Sequence, residues 1–121
     1  ARRDARVTEG PALSITYLSA TTGSVQNMSL PRRALRSGAR VLIIDDFMRG
    51  GGTAKGLTDL VAEFDAVVAG IGLAIVTRAP VDKRVGRFLP LAVLNRVDEG
   101  SHWVEIEPNL DLQWFGGHRA D

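Results

Sequence analysis

The sequence predicts an α/β domain: a parallel β-sheet flanked by helices, with a β-hairpin ahead of it. Three observations carry that reading. Val41-Leu42-Ile43-Ile44 is an uninterrupted apolar, β-favouring run, as expected of a central strand covered on both faces. Leu57, Leu60, Val61 and Phe64 recur at i, i+3, i+4 and i+7, the stripe of a helix packed on a sheet. Val67 to Val76 returns to β-rich character, and strand, helix, strand joined by short links is most simply a right-handed parallel crossover.

Taken in order, Leu13, Ile15 and Tyr17 alternate with Ser14 and Thr16 over Ala12–Ser19, the period of a half-buried strand. Thr21, Thr22 and Gly23 mark a turn, and Ser24–Leu30 places Met28 and Leu30 on one face, completing a hairpin in which Val25 falls out of register. Pro31 suits the first turn of a short helix over Arg32–Ser37, closed by Gly38. The apolar run follows, then a glycine-rich turn, a helix over about Ala54–Asp65 and the strand Val67–Val76. Thr77–Arg87 reads as a connection with one helical turn around Asp82–Val85. Leu89–Val97, Trp103–Glu107 and a short Leu112–Phe115 are the remaining strands, before a frayed tail.

Bulk composition excludes several classes. The 121 residues suit one domain, or part of one. The absence of cysteine removes disulfide frameworks, zinc ribbons, iron–sulfur clusters and thiol nucleophiles, and fits a reducing, cytoplasmic setting. Fifteen Lys plus Arg against fourteen Asp plus Glu demand no polyanionic partner. No apolar run approaches the ~20 residues that cross a bilayer, so a soluble chain is expected. The first ten residues carry Arg2, Arg3 and Arg6 without an apolar core, unlike a secretory signal, and no initiator methionine is present. A start inside a longer protein is expected.

The chemistry concentrates in Ile44-Asp45-Asp46-Phe47-Met48-Arg49-Gly50-Gly51-Gly52-Thr53. Ligands of open α/β sheets bind beyond the carboxyl ends of strands, where Asp45 and Asp46 lie. Glycines let consecutive amides converge beside a helix N-terminus, a site for phosphate to which Thr53 adds a hydroxyl and Arg49 a cation. Two carboxylates repel phosphate, so the ligand must also offer donors. Ribose hydroxyls on Asp45 and Asp46, with the 5′-phosphate in the loop, meet both demands, and Mg²⁺ on the far side of the sugar would ease the charge further. A Walker A loop fails because Thr53-Ala54 follows Gly52 where Lys-Ser/Thr is required. A dinucleotide fingerprint fails on glycine spacing and on the acids coming first. A phospho-receiver needs an aspartate where Thr77 and Arg78 stand. The bland alternative is a tight βα turn with helix-capping aspartates.

The strand, Asp45-Asp46, two residues, then Arg49-Gly50-Gly51-Gly52-Thr53 resembles the phosphoribosyl pyrophosphate (PRPP) motif of type I phosphoribosyltransferases. More narrowly, Val7-Thr8-Glu9-Gly10, Met28-Ser29-Leu30, Val41 to Gly56 with its Phe47-Met48, and Glu63-Phe64 with Ala69-Gly70-Ile71-Gly72 resemble the effector domain of purine operon repressors. The likeness runs through residues 1–76 and thins afterwards. It implies a phosphoribosyltransferase-like sheet with a flexible hairpin over the ligand. It also implies that residues 1–121 are the C-terminal part of an effector domain, whose first core strands and winged-helix domain lie upstream. The family acts as homodimers, uses PRPP or a related nucleotide as effector, and holds operator DNA through that upstream domain. The resemblance assigns the ribose hydroxyls to Asp45 and Asp46 and the 5′-phosphate to Arg49, Gly50, Gly51, Gly52 and Thr53, with Phe47 and Met48 alongside. Lys and Ala are common in the family where this chain has Arg49 and Gly50.

Transferases of this fold sometimes place an acidic general base where Arg49 stands, and a guanidinium cannot accept a proton. Binding without catalysis is therefore the leading expectation. A purine or xanthine phosphoribosyltransferase is the alternative, and an oligomerisation domain with a vestigial pocket a third. Tyr17, on the hairpin, is a candidate ligand contact or a packed residue. Phe47 shares that ambiguity with a core role. Arg32, Arg33, Arg36 and Arg40 form a DNA- or dimer-facing patch or a solvated face. His102 and His118 lack neighbouring ligands, so no metal site is expected. Trp103, Trp114 and Phe115 read as packing residues.

Overall fold

The computed structural model describes residues 2–3, 11–19 and 22–116. Its element order is β1 (Arg2–Arg3), β2 (Ala12–Leu18), β3 (Val25–Pro31), a 3-10 turn (Arg32–Ala34), β4 (Arg40–Met48), α1 (Gly52–Glu63), β5 (Val67–Thr77), β6 (Leu89–Asp98) and β7 (Trp103–Pro108). Two sheets result, β1-β3-β2 and β4-β5-β6-β7. In the second, β4, β5 and β6 are parallel and β7 runs antiparallel on β6.

The hairpin forms as its alternation requires. Leu13 faces Leu30, Ile15 faces Met28 and Tyr17 faces Gln26 across β2 and β3. Val25 keeps the register opposite Leu18; both are exposed because they share the outer face. The pair Arg2–Arg3, a strand that no sequence pattern announces, adds to β3. Pro31 closes β3 opposite Ala12 and starts no full helix: only the 3-10 turn follows, without a side-chain cap. Gly38 is left-handed and its N–H donates to the Asp65 carbonyl at 2.8 Å, tying this turn to the end of α1.

Helix α1 is the wall shared by two cores. Val61 and Ala54 join Ile43, Ile71, Leu73, Val76, Phe88 and Val93 against the parallel sheet. Leu60 and Phe64 join Tyr17 and Met28 against the hairpin. The predicted stripe is thus divided between two partners. The hairpin also approaches the helix backbone: a Cβ on Gly52 would run into the Leu18 carbonyl oxygen, and one on Gly56 would lie 2.8 Å from the Tyr17 Cβ. Glycine at both positions permits that contact at some loss of helix propensity.

Strand β4 corrects one expectation. Among the described residues it is an edge strand, covered by α1 on one face only. Leu42 and Ile44 stay 63% and 69% exposed over Gly70 and Gly72 of β5. The apolar run reads as doubly buried, but no second layer over these residues is described. Residues 78–87 contain no helical turn, since Pro80 and the short span leave only bends and irregular chain. The expected last strand reduces to one bridge, Phe115 with Phe88, because Leu112 has a positive φ of 48° and breaks extension. Every residue of β7, Trp103 included, is exposed, and so is Trp114 beyond it, so neither tryptophan packs a core; each lies beside a guanidinium, Arg96 at 5.2 Å and Arg87 at 4.7 Å. Phe115 does pack partly against the sheet core. Val7-Thr8-Glu9-Gly10, Thr21 and the tail after Gly116 lie outside the described residues.

Candidate functional site

Asp45 and Asp46 lie near the carboxyl end of β4, which closes on Met48, and the chain then turns through Arg49–Gly51 into α1. Gly51 carries the turn with φ +88°, and a Cβ there would lie 3.2 Å from the Arg84 backbone nitrogen and 3.5 Å from the Met48 Sδ. A left-handed φ costs an L-residue ~1–2 kcal/mol, so glycine is the residue this turn needs. Gly51 is also the N-cap of α1 and offers no side-chain cap. The first amides of the helix are left to another acceptor.

The hydrogen bonding of this loop is asymmetric. Its three carbonyls all accept: Arg49 O from the Lys83 ammonium at 2.6 Å, Gly50 O from the Arg84 N–H at 2.9 Å, and Gly51 O from the Lys55 N–H at 2.8 Å. Among the described residues, no amide from Gly50 to Thr53 is a donor in the turn, cap or side-chain bonds. Fixing the carbonyls on one side leaves the amides on the other, beside the positive end of the helix dipole.

Asp45, Phe47, Met48, Arg49, Gly50, Gly51, Gly52, Thr53 and Ala54 enclose an open cavity of about 40 Å³. Eight of the ten predicted site residues therefore meet at one point, Asp46 and Tyr17 being the two outside it. Asp45 is half-buried and accepts the Asp46 N–H at Oδ1, 2.9 Å away. Asp46 is exposed and outside the lining, as strand alternation sends adjacent side chains to opposite sides. Met48 is buried and supports the loop from beneath, whereas Phe47 stays 45% exposed at the rim. Arg49 is exposed.

Tyr17 is placed elsewhere. Its ring is 6% exposed in the hairpin–helix core and its hydroxyl donates to Gln26 Oε1 at 2.9 Å, so packing uses both its apolar body and its polar tip. Arg32, Arg33, Arg36 and Arg40 are all exposed. Among the described residues no group of three or more His, Asp or Glu side chains gathers to hold a metal.

Sequence reasoning missed the segment that backs the loop. Lys83 donates to Thr77 O at 2.7 Å as well as to Arg49 O, and burial lowers its pKa below 10.5. The available signal was position alone: residues 78–88 follow the carboxyl end of the next parallel strand, the same edge of the sheet as the loop. Larger cavities, of about 460 and 840 Å³, border Trp114 and this segment. Neither is lined by the aspartates or by the glycine turn, and volume alone does not choose a site.

Comparison with known proteins places the chain in a family. The phosphoribosyl transferase domain family matches residues 11–111, well past the residue-76 limit that the sequence resemblance suggested. The purine biosynthesis transcriptional repressor PurR of Bacillus subtilis is 39% identical over 114 residues, covering 94% of this chain and 40% of that protein. The purine biosynthesis transcriptional activator PurR of Lactococcus lactis is 35% identical over 106 residues, 88% of this chain and 39% of that one. The chain thus spans about two-fifths of the length of these curated relatives. The adenine phosphoribosyltransferase of Thermoanaerobacter pseudethanolicus shares the fold, with a TM-score of 0.56 at 24% identity over 63% of this chain and 42% of its own. With five-sixths of its length inside the family match, this chain belongs to the phosphoribosyl transferase domain family.

Proposed function

We propose that the chain is the effector-binding part of a transcription regulator of purine biosynthesis, and that its effector is PRPP, held without catalysis. The observation that carries this is the loop whose three carbonyls are engaged while no Gly50–Thr53 amide donates in the turn, cap or side-chain bonds of the described residues, at a cavity that these residues line with Asp45. A 5′-phosphate takes the amides, the Thr53 hydroxyl and the Arg49 charge. The ribose hydroxyls donate to Asp45 from within the cavity and to Asp46 from its exposed side. Mg²⁺, which PRPP carries, would be held chiefly by the ligand, because the two aspartates are too few to complete a magnesium shell.

Regulation follows from linkage: a ligand bound more tightly by one conformation of a homodimer moves the population away from the other, and with it the affinity of a separate DNA-binding domain for its operator. Such a regulator works in the cytoplasm. Relatives named as a repressor and as an activator share the similarity, so the sign of the response belongs to the DNA-binding part.

The absence of catalysis rests on Arg49, a permanent cation where some transferases of the fold hold a base. The family name and the shared fold favour the enzyme as second reading. Two measurements separate them. PRPP binding to the full-length protein, lost in Asp45→Ala/Asp46→Ala, supports the sensor; equal affinity in the variant removes the ribose role. Nucleotide formation from PRPP, Mg²⁺ and a panel of purine bases would establish the enzyme instead.

A further inference from the structure

We infer that Lys83 is a positioning residue for the phosphate loop, a brace that holds the loop's carbonyls outward so that its amides stay aimed at the ligand. The inference rests on the phosphoribosyl reading and adds a residue that lies outside the motif. Lys83 is half-buried between two strand ends, with its ammonium donating to Arg49 O at 2.6 Å and Thr77 O at 2.7 Å. One cation therefore links the turn after β4 to the last residue of β5.

The next residues continue the contact. The Arg84 N–H donates to Gly50 O at 2.9 Å, and the Arg84 and Val85 nitrogens lie 3.2 and 3.6 Å from where a Gly51 Cβ would sit. Val85 is itself buried in the sheet core, so this backing is anchored. A tri-glycine turn has little stiffness of its own, because glycine gives up more conformational freedom on ordering than any other residue. An outside framework must supply the order, and a charge-assisted bond to a carbonyl is stronger than a neutral one. The ammonium also pulls the Arg49 carbonyl dipole away from the cavity. Lys83 touches no ligand in this account; it acts through Arg49 and Gly50.

The test compares wild type, Lys83→Met and Lys83→Arg in the full-length protein, by PRPP titration calorimetry, melting temperature and ¹H–¹⁵N spectra. Methionine keeps the apolar stem and removes the donor. PRPP affinity is expected to fall roughly tenfold, as lost preorganisation does. The Gly50, Gly51 and Gly52 amide resonances shift while those of β7 stay, and arginine, which can donate to both carbonyls, restores most of the affinity. Unchanged affinity and unchanged loop resonances in Lys83→Met overturn the brace. So does a loss that arginine fails to restore, with shifts spread over the whole spectrum, since that is general destabilisation. A wild type that fails to bind PRPP sinks the phosphoribosyl reading, and the unliganded loop resonances of Lys83→Met still decide the brace.

Discussion

The turns leaving β4 and β5 stand side by side at one edge of the sheet and are held by opposite means. The first is glycine and backbone: its carbonyls are bonded, no Gly50–Thr53 amide donates in the turn or side-chain bonds of the described residues, and the buried Met48 lies against it. The second has no regular structure, yet Val85 and Phe88 fix it in the core while Lys83 and Arg84 reach across to the first. Chemistry and rigidity are thus divided between neighbours. Loss of the second turn's core anchors should appear as lost stability, and damage to the first turn, or to the Lys83 bond that reaches it, as lost binding.

The largest expected effect tests the rigid turn. Phe88 is 2% exposed, and Phe88→Ala should cost ~3–5 kcal/mol in denaturant unfolding. A cost under ~1 kcal/mol would break the comparison, because the second turn would then not be core-anchored. Next, Asp45→Asn/Asp46→Asn should weaken PRPP binding roughly a hundredfold by calorimetry with little change in melting temperature, as charged acceptors are lost but no packing is. The glycines sharpen the contrast within one loop. Gly51→Ala forces a left-handed alanine against Arg84 and should lower PRPP affinity about tenfold. Gly50→Ala meets nothing within 4 Å and should change it by less than about threefold. Equal effects at the two positions would mean the turn is not shaped as described.

The smallest effect is in pH. Burial lowers the Lys83 pKa below 10.5, so the folded state sheds this proton before the unfolded chain does. The unfolded state then holds more protons between the lowered value and 10.5, and the Lys83 contribution to stability rises with pH across that window. Melting temperatures of wild type relative to Lys83→Met should drift upward there, and a flat or falling difference contradicts the burial.

How much of this was legible in the sequence follows the same division. The βα turn, its acids and its glycines were readable because phosphate chemistry restricts residue types at fixed spacing. The hairpin and α1 were readable because Ile15, Tyr17, Leu60 and Phe64 keep the period of their elements. Tyr17 was readable as part of the hairpin but not as a core residue, because its partners Leu60 and Phe64 lie more than forty positions away in another element. The exposure of Leu42 and Ile44 was not legible either, since an apolar run reports the faces a strand is suited to bury rather than those covered by the described residues. Lys83 left no pattern, because a lysine in a polar connection looks solvated until the fold brings the Arg49 carbonyl, 34 positions away, beside that of Thr77.

The most direct test of the central claim is to follow the backbone amides of Gly50, Gly51, Gly52 and Thr53 in the ¹H–¹⁵N spectrum of the full-length protein as PRPP is added. These four are expected to move first and farthest, with saturation, as the 5′-phosphate accepts their hydrogen bonds. Saturable binding that leaves them in place and instead moves residues around Trp114 would contradict it.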